Sequence, residues 1–123
     1  MTTEHEEQRN FVRWFRMQFR GVRIFAIPNG GQRSRTTGAK LKAEGVMAGV
    51  PDLYIPAWNL WIEMKRADKG VMSPKQKDWF KYLKSINHST ILGRGFEDAK
   101  EKVLNFCSQH DIRISEGRFN NEK

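Results

Sequence analysis

Asp52, Glu63 and Lys65 are the residues of this chain whose types and spacing could do chemistry together. Two carboxylates can hold a divalent cation, and a lysine beside them can stabilise charge on a phosphate or orient an attacking water. That is the minimum set for metal-assisted cleavage of a phosphodiester. Strand side chains alternate faces, so within Leu60-Trp61-Ile62-Glu63-Met64-Lys65 the residues 61, 63 and 65 share one side. Glu63 and Lys65 then stand about 6.6 Å apart along the strand. Leu60, Ile62 and Met64 take the other side. In the preceding run, Leu53 and Ile55 oppose Asp52 and Tyr54. The two runs read as a hairpin with one apolar face and one face bearing Asp, Glu and Lys.

The elements that must hold this hairpin can be read around it. Thr3 is an N-cap for a first helix, and Glu4, Glu6 and Glu7 suit its positive end. Phe11, Val12, Phe15 and Phe19 continue it at helical spacing, and Gly21 ends it. Residues 22–27 read as a short strand stopped by Pro28-Asn29-Gly30-Gly31. Residues 36–44 form a short helix or a basic loop. Strands over 52–55 and 60–65 flank a turn at Pro56-Ala57-Trp58-Asn59. Ser73-Pro74 starts a helix, with serine as cap and proline in the first position, and Trp79, Phe80, Leu83 and Ile86 mark its buried face. Residues 89–92 form another strand. A last helix over 96–107 aligns Phe96, Ala99, Val103 and Phe106, and residues 112–114 are a candidate edge strand. The order predicts an α/β domain, a central mixed sheet flanked by helices. The domain spans residues 1–114, followed by a polar tail over 115–123.

The chain has 123 residues, enough for one domain with a modest core. Lysine and arginine exceed the acids by 22 to 14, a net charge of +8, which favours a polyanion as partner, nucleic acid before membrane. Cys107 is the single cysteine, so no disulfide framework and no cysteine-based zinc site can form, and a reducing, cytoplasmic setting is expected. The first twenty residues are too charged for a signal peptide, and no apolar run reaches membrane-spanning length. His5, His88 and His110 are scattered without metal-ligand spacing.

Several words of the sequence, taken in order, resemble the VRR-NUC (virus-type replication-repair nuclease) domains, a branch of the PD-(D/E)xK nucleases. They are Glu4…Gln8 ahead of an apolar helix, Pro28-Asn29-Gly30-Gly31-Gln32-Arg33, Gly45-Val46-Met47-Ala48-Gly49-Val50-Pro51-Asp52-Leu53, Ile62-Glu63-Met64-Lys65, and Ser73-Pro74-Lys75-Gln76. PD…ExK alone is a loose pattern; joined to the glycine-rich lead-in and the Pro-Lys-Gln helix it is specific. The resemblance covers residues 4 to about 93. It implies a restriction-endonuclease-like fold, a Mg²⁺ or Mn²⁺ cofactor and structure-dependent cleavage of branched DNA. Stand-alone viral and bacterial domains of this type resemble homodimeric Holliday-junction resolvases, so a phage or prophage role and a homodimer are expected. The first helix and the aromatic-rich segments are candidate interfaces.

The same resemblance implies the rest of the site. Asp52, Glu63 and the Met64 carbonyl would ligate the metal, with Glu4 supporting it through water. Glu7 is the alternative first-helix acid, and a helix-dipole role would account for Glu4, Glu6 and Glu7 alike. Lys65 would stabilise developing charge, and Gln76 would orient Lys65 or the water. Asn29, Arg33, Arg35, Lys40 and Lys42 form a basic, glycine-flanked segment suited to phosphate contacts that carry no sequence information, with Lys69, Lys75 and Lys77 as candidates to extend it. Of the tryptophans, Trp14 and Trp79 read as core or dimer contacts, while Trp58 at the hairpin turn is a candidate wedge. Two other functions fit the same residues. One is an endonuclease for flaps, single strands or duplexes; the other is a basic DNA-binding module without catalysis. No organic cofactor is implied.

Overall fold

The computed structural model describes residues 2–28, 35–68 and 70–114, with Arg35 and Thr36 as backbone only. Asn29, Arg33, Lys69 and the tail over 115–123 lie outside the described residues, as does the side chain of Arg35. Helix α1 (Glu4–Gln18) leads into strand β1 (Phe25–Ala26), helix α2 (Arg35–Ala43), strands β2 (Leu53–Ile55) and β3 (Leu60–Lys65), helix α3 (Pro74–Ser85), strand β4 (Ser89–Arg94) and helix α4 (Phe96–Gln109). The sheet order is β1-β2-β3-β4. The first three strands run antiparallel, and β4 joins β3 in parallel through the α3 crossover. This is the expected mixed sheet flanked by helices.

Alternation along the strands decides what each face meets. Leu53, Ile55, Leu60, Ile62 and Met64 are fully buried, packed with Phe11 and Phe15 of α1 and Ala99 and Val103 of α4. Those two helices therefore cover the apolar face. Glu63 points the opposite way from Met64, and Gln76 in the first turn of α3 reaches it, so α3 starts on the other face. Phe80 and Leu83 are the buried residues of α3, which runs against β4.

Both helix starts anticipated from the sequence carry full capping boxes. Thr3 Oγ1 accepts from the Glu6 N–H, and Glu6 returns a bond to the Thr3 N–H; Ser73 and Gln76 do the same for α3. Other expectations are corrected. Strand β1 is only two residues long, because Ile24 turns into the core and its carbonyl is taken by Arg16 at 3.2 Å. One further ladder bond, Ile27 N–H to Asp52 O at 2.8 Å, extends it towards the site. Ile86 is 42% exposed beyond the end of α3. Trp79 is half-buried and faces a groove, not the Phe80 side of α3. Residues 112–114 form no strand: Asp111 takes a left-handed turn (φ 57°), and the Ile112 N–H bonds back to Cys107 O. Trp58 is no wedge, for its ring lies against Phe15, Phe19 and Phe106 at 5.4, 5.1 and 5.9 Å between centroids. The short 3₁₀ turn Pro56–Trp58 folds it over the core. No described helix is long and apolar enough to cross a membrane.

One glycine ties the hairpin to α3. Gly49 has φ +90°, and a Cβ there would lie 2.8 Å from the backbone carbon and oxygen of Lys75. The Gly49→Ala variant meets both backbone strain and a clash with a helix that cannot yield. Its stability should fall by roughly 2–4 kcal/mol in urea unfolding, whereas Gly38→Ala, inside α2 with no neighbour near, should raise stability by up to about 1 kcal/mol.

Candidate metal centre

Asp52 stands at the entrance to β2, and the register Leu53↔Ile62 continues to place it across from Glu63. Strand pairing thus sets two carboxylates side by side on the face away from the core. Asp52 Oδ2 accepts the Met64 N–H at 2.8 Å, which fixes its direction. Glu63 is only 1% exposed and is the one buried charged residue among those described. Its Oε2 accepts from Gln76 Nε2 at 2.8 Å, with Lys65 Nζ at 3.6 Å. Its Oε1 is buried and receives no donor. A buried carboxylate oxygen without a partner is costly unless a proton or cation meets it.

Glu4, in the first turn of α1, completes the cluster: one oxygen from each of Glu4, Asp52 and Glu63 lies within 4.8 Å of the others. Glu7 is directed elsewhere. Its Oε1 accepts the Phe96 N–H at 2.7 Å, and its other oxygen takes the Thr2 hydroxyl. The N-cap of α4 is Gly95, which has no side chain to do this work, so Glu7 caps α4 from a distance. The structure thereby separates the two first-helix acids: Glu4 joins Asp52 and Glu63, and Glu7 holds a helix end.

The electrostatics follow from this crowding. Burial, then the Asp52 charge, pushes the Glu63 carboxyl up to about 8. Burial also raises Asp52, opposed by the Met64 N–H and Lys65. Glu4 is raised by burial and by Asp52, with Lys65 pulling the other way. Three carboxylates that all resist ionisation together form a place where a cation is favourable. The donor set is all oxygen, as hard divalent ions such as Mg²⁺ require.

Other site expectations divide. Lys65 and Gln76 meet at Glu63. Met64 buries its side chain and offers the site only backbone. Lys40 and Lys42 are exposed in the last turn of α2 and touch none of the three carboxylates. Two positioning contacts were overlooked in the sequence. The Ser73 N–H donates to Gln76 Oε1 at 2.8 Å, so the amide can only turn its NH₂ towards Glu63. The spacing Ser-x-x-Gln was the available signal. The bond from Glu7 to Phe96 spans 89 residues and has no local signal.

No protein-family model matches the sequence, and no curated protein matches it. Among solved structures, a VRR_NUC domain protein superposes with a TM-score of 0.73 at 25% identity, over 88% of this chain and 90% of that one. The chain has the fold of a VRR-NUC nuclease domain, and the resemblance carried by its sequence words is borne out.

Two measurements follow from the geometry. Glu7→Gln should lower stability by about 1–2 kcal/mol through the weakened cap, yet keep the rise in melting temperature on adding Mn²⁺. Glu4→Gln should leave metal-free stability near wild type or above it and diminish that rise. The second concerns pH. Glu63 holds its proton more tightly when folded, so its contribution is fully present below the usual 4.5 and is lost as pH rises towards about 8. In EDTA, stability should therefore decline over that window, a trend that Glu63→Gln abolishes and saturating Mn²⁺ suppresses.

Proposed function

We propose that this protein is a metal-dependent, structure-specific endodeoxyribonuclease that hydrolyses phosphodiesters in branched DNA, foremost four-way junctions, as a homodimer. The observation that carries the reading is the buried Glu63 Oε1 without a hydrogen-bond donor, on a residue clustered with Asp52 and Glu4 within a nuclease fold. Glu63, Asp52 and the Met64 carbonyl would hold Mg²⁺ or Mn²⁺, with the exposed Glu4 contributing through a water. When bound, the ion would supply charge neutralisation at the phosphate and an acidified water.

The chain's own residues do the rest. Gln76 and Lys65 both sit on Glu63 Oε2, so Oε1 is the oxygen left for the cation. At 3.6 Å, Lys65 Nζ is beyond a hydrogen bond to that carboxylate. Its ammonium keeps its donors for a non-bridging phosphate oxygen, where negative charge grows in the transition state. Gln76 is held by the α3 cap and cannot swing away, which preserves the direction of Glu63 as substrate arrives. None of these residues is a nucleophile towards phosphorus, which supports attack by water, departure of the 3′ oxygen and a 5′-phosphate product. The exposed lysines Lys40, Lys42, Lys75 and Lys77 suit backbone phosphates and a binding strength that falls with salt. Asn29, Arg33 and Arg35 extend that surface in the proposal. Two sites related by a two-fold axis are what paired cuts in a symmetric junction require. The lone, buried Cys107, its thiol pushed up to about 11 by burial, suits a reducing cytoplasm.

The test is a matched set of labelled DNAs, namely four-way junction, flap, splayed arm, single strand and duplex, each with Mg²⁺, Mn²⁺ or EDTA. Paired symmetric nicks in the junction are expected, abolished by EDTA and reduced by about 10²-fold or more in Glu63→Ala and Lys65→Ala. Metal-dependent cutting confined to another substrate would replace the junction assignment. Binding without cleavage in every condition would overturn the enzyme. Light scattering should give a dimer; a monomer at micromolar concentration with and without junction DNA would overturn that part.

A further inference from the structure

A groove of about 480 Å³ is walled by Ile27, Leu41, Val46, Met47, Val50 and Trp79, on segments that lead into the carboxylate cluster. Every one of these side chains is apolar. Val46 and Met47 are 38% and 58% exposed, which leaves apolar surface unburied next to the most polar part of the molecule. The groove is fixed relative to the carboxylates at both ends. Val50 lies two residues before Asp52, and Trp79 follows Gln76 by three residues on α3, one turn further along the same side. Gly49, pressed on the Lys75 backbone, locks one wall to the other.

We infer that this groove is a subsite for an unpaired nucleobase of the DNA substrate, adjacent to the phosphodiester that is cut. This rests on the nuclease reading and names what that site would select. A base has two apolar faces and a polar edge, and an open groove can stack the faces while leaving the edge in water. Trp79 and the polarisable Met47 are suited to stacking. The rim argues for the same occupant. Exposed Lys40 and Lys42 bracket the wall residue Leu41 on α2, and exposed Lys75 stands one helical turn before Trp79 on α3, so the elements that wall the groove also carry cations for the phosphates on either side of an extruded base. A second copy of the chain is the poorer fit at this groove, since the lysines of α2 and α3 would be set against their own counterparts, and the proposed dimer would use another face. Selection for branched DNA then has a physical source: a fully paired duplex has no base free to enter, whereas a branch point, flap or bulge offers one with little unstacking.

The test reads binding in EDTA, so that it is separate from cleavage. Three DNAs of matched length are compared by anisotropy: a duplex, the same duplex with one unpaired 2-aminopurine, and a four-way junction. Wild-type protein should bind the second and third more tightly than the first and should quench the 2-aminopurine. Trp79→Ala, and Met47→Ala, whose exposed side chain can be cut back without unfolding the protein, should weaken binding to unpaired-base DNA by about fivefold or more. Duplex affinity should stay within about twofold, and Trp79→Phe should restore much of the loss. Equal losses on duplex and bulged DNA, or no loss on either, overturn the subsite. So does a shift from dimer to monomer in Met47→Ala with DNA preference intact, which would make the groove a self-association surface. A protein that cuts junctions but ignores both substitutions loses this inference alone. One that captures the unpaired base yet never cuts loses the nuclease reading and keeps the groove.

Discussion

Two carboxylates forced together on a buried stretch of sheet are the constraint around which this molecule is arranged. Asp52 and Glu63 are set opposite each other by the antiparallel register of β2 and β3, and no rotamer change can separate them far. Glu63 is almost wholly shielded from water, with one oxygen satisfied and the other not. Such a pair works against folding in the absence of a proton or cation. The hairpin must therefore be held by something stronger. The apolar residues on its reverse supply it: Leu53, Ile55, Leu60, Ile62 and Met64 are fully buried against α1 and α4. Alternation along one strand thus couples the largest source of stability to its least favourable residue.

Helix starts then determine what surrounds the pair. Glu4, in the first turn of α1, lies with Asp52 and Glu63, and Gln76, in the first turn of α3, donates to Glu63. The N-termini of two helices consequently converge there, with their partial positive charge. Each start is fixed by a reciprocal capping box, so the side chains that extend from it are aimed by the cap. Glu7 adds a third link by binding the first N–H of α4. A small protein gains precision at the site this way without a large core, because hydrogen bonds already needed to end the helices also orient the functional groups.

How much of this could be read from residues alone varied with the range of the interaction. The hairpin and its two faces were legible in the strict alternation from Leu60 to Lys65, and both helix starts in Thr3 and Ser73-Pro74. The grouping of Asp52, Glu63, Lys65, Gln76 and Glu4 was legible only with the family resemblance added, since Glu4 and Gln76 arrive from distant helices. Glu4 and Glu7 could not be told apart, because a first turn rich in acids looks alike whichever acid faces the sheet. Trp58 was misjudged for a related reason: a turn residue is exposed by default, and only the packing of Phe15, Phe19 and Phe106 draws it inward. Residues 112–114 have strand-like types, but the backbone turns at Asp111 and Ile112 bonds back to α4 before a sheet edge is reached.

The charge distribution completes the picture. A chain of net charge +8 gathers three of its acids, Glu4, Asp52 and Glu63, in one cluster and exposes lysines on α2 and α3. A polyanion is attracted by the exposed lysines and repelled by the carboxylates, so in the proposed function a cation would lie between Glu63 and the nearest phosphate. Long-range attraction therefore cannot by itself deliver a productive complex. In the proposed function local fit would do so, through a divalent ion among the carboxylates and the apolar groove as a subsite for an unstacked base. On that proposal, affinity for DNA in general and selection of where it is cut would reside in different parts of one small fold. Salt weakens the first, which acts at long range through exposed charge, far more than the second, which acts by contact.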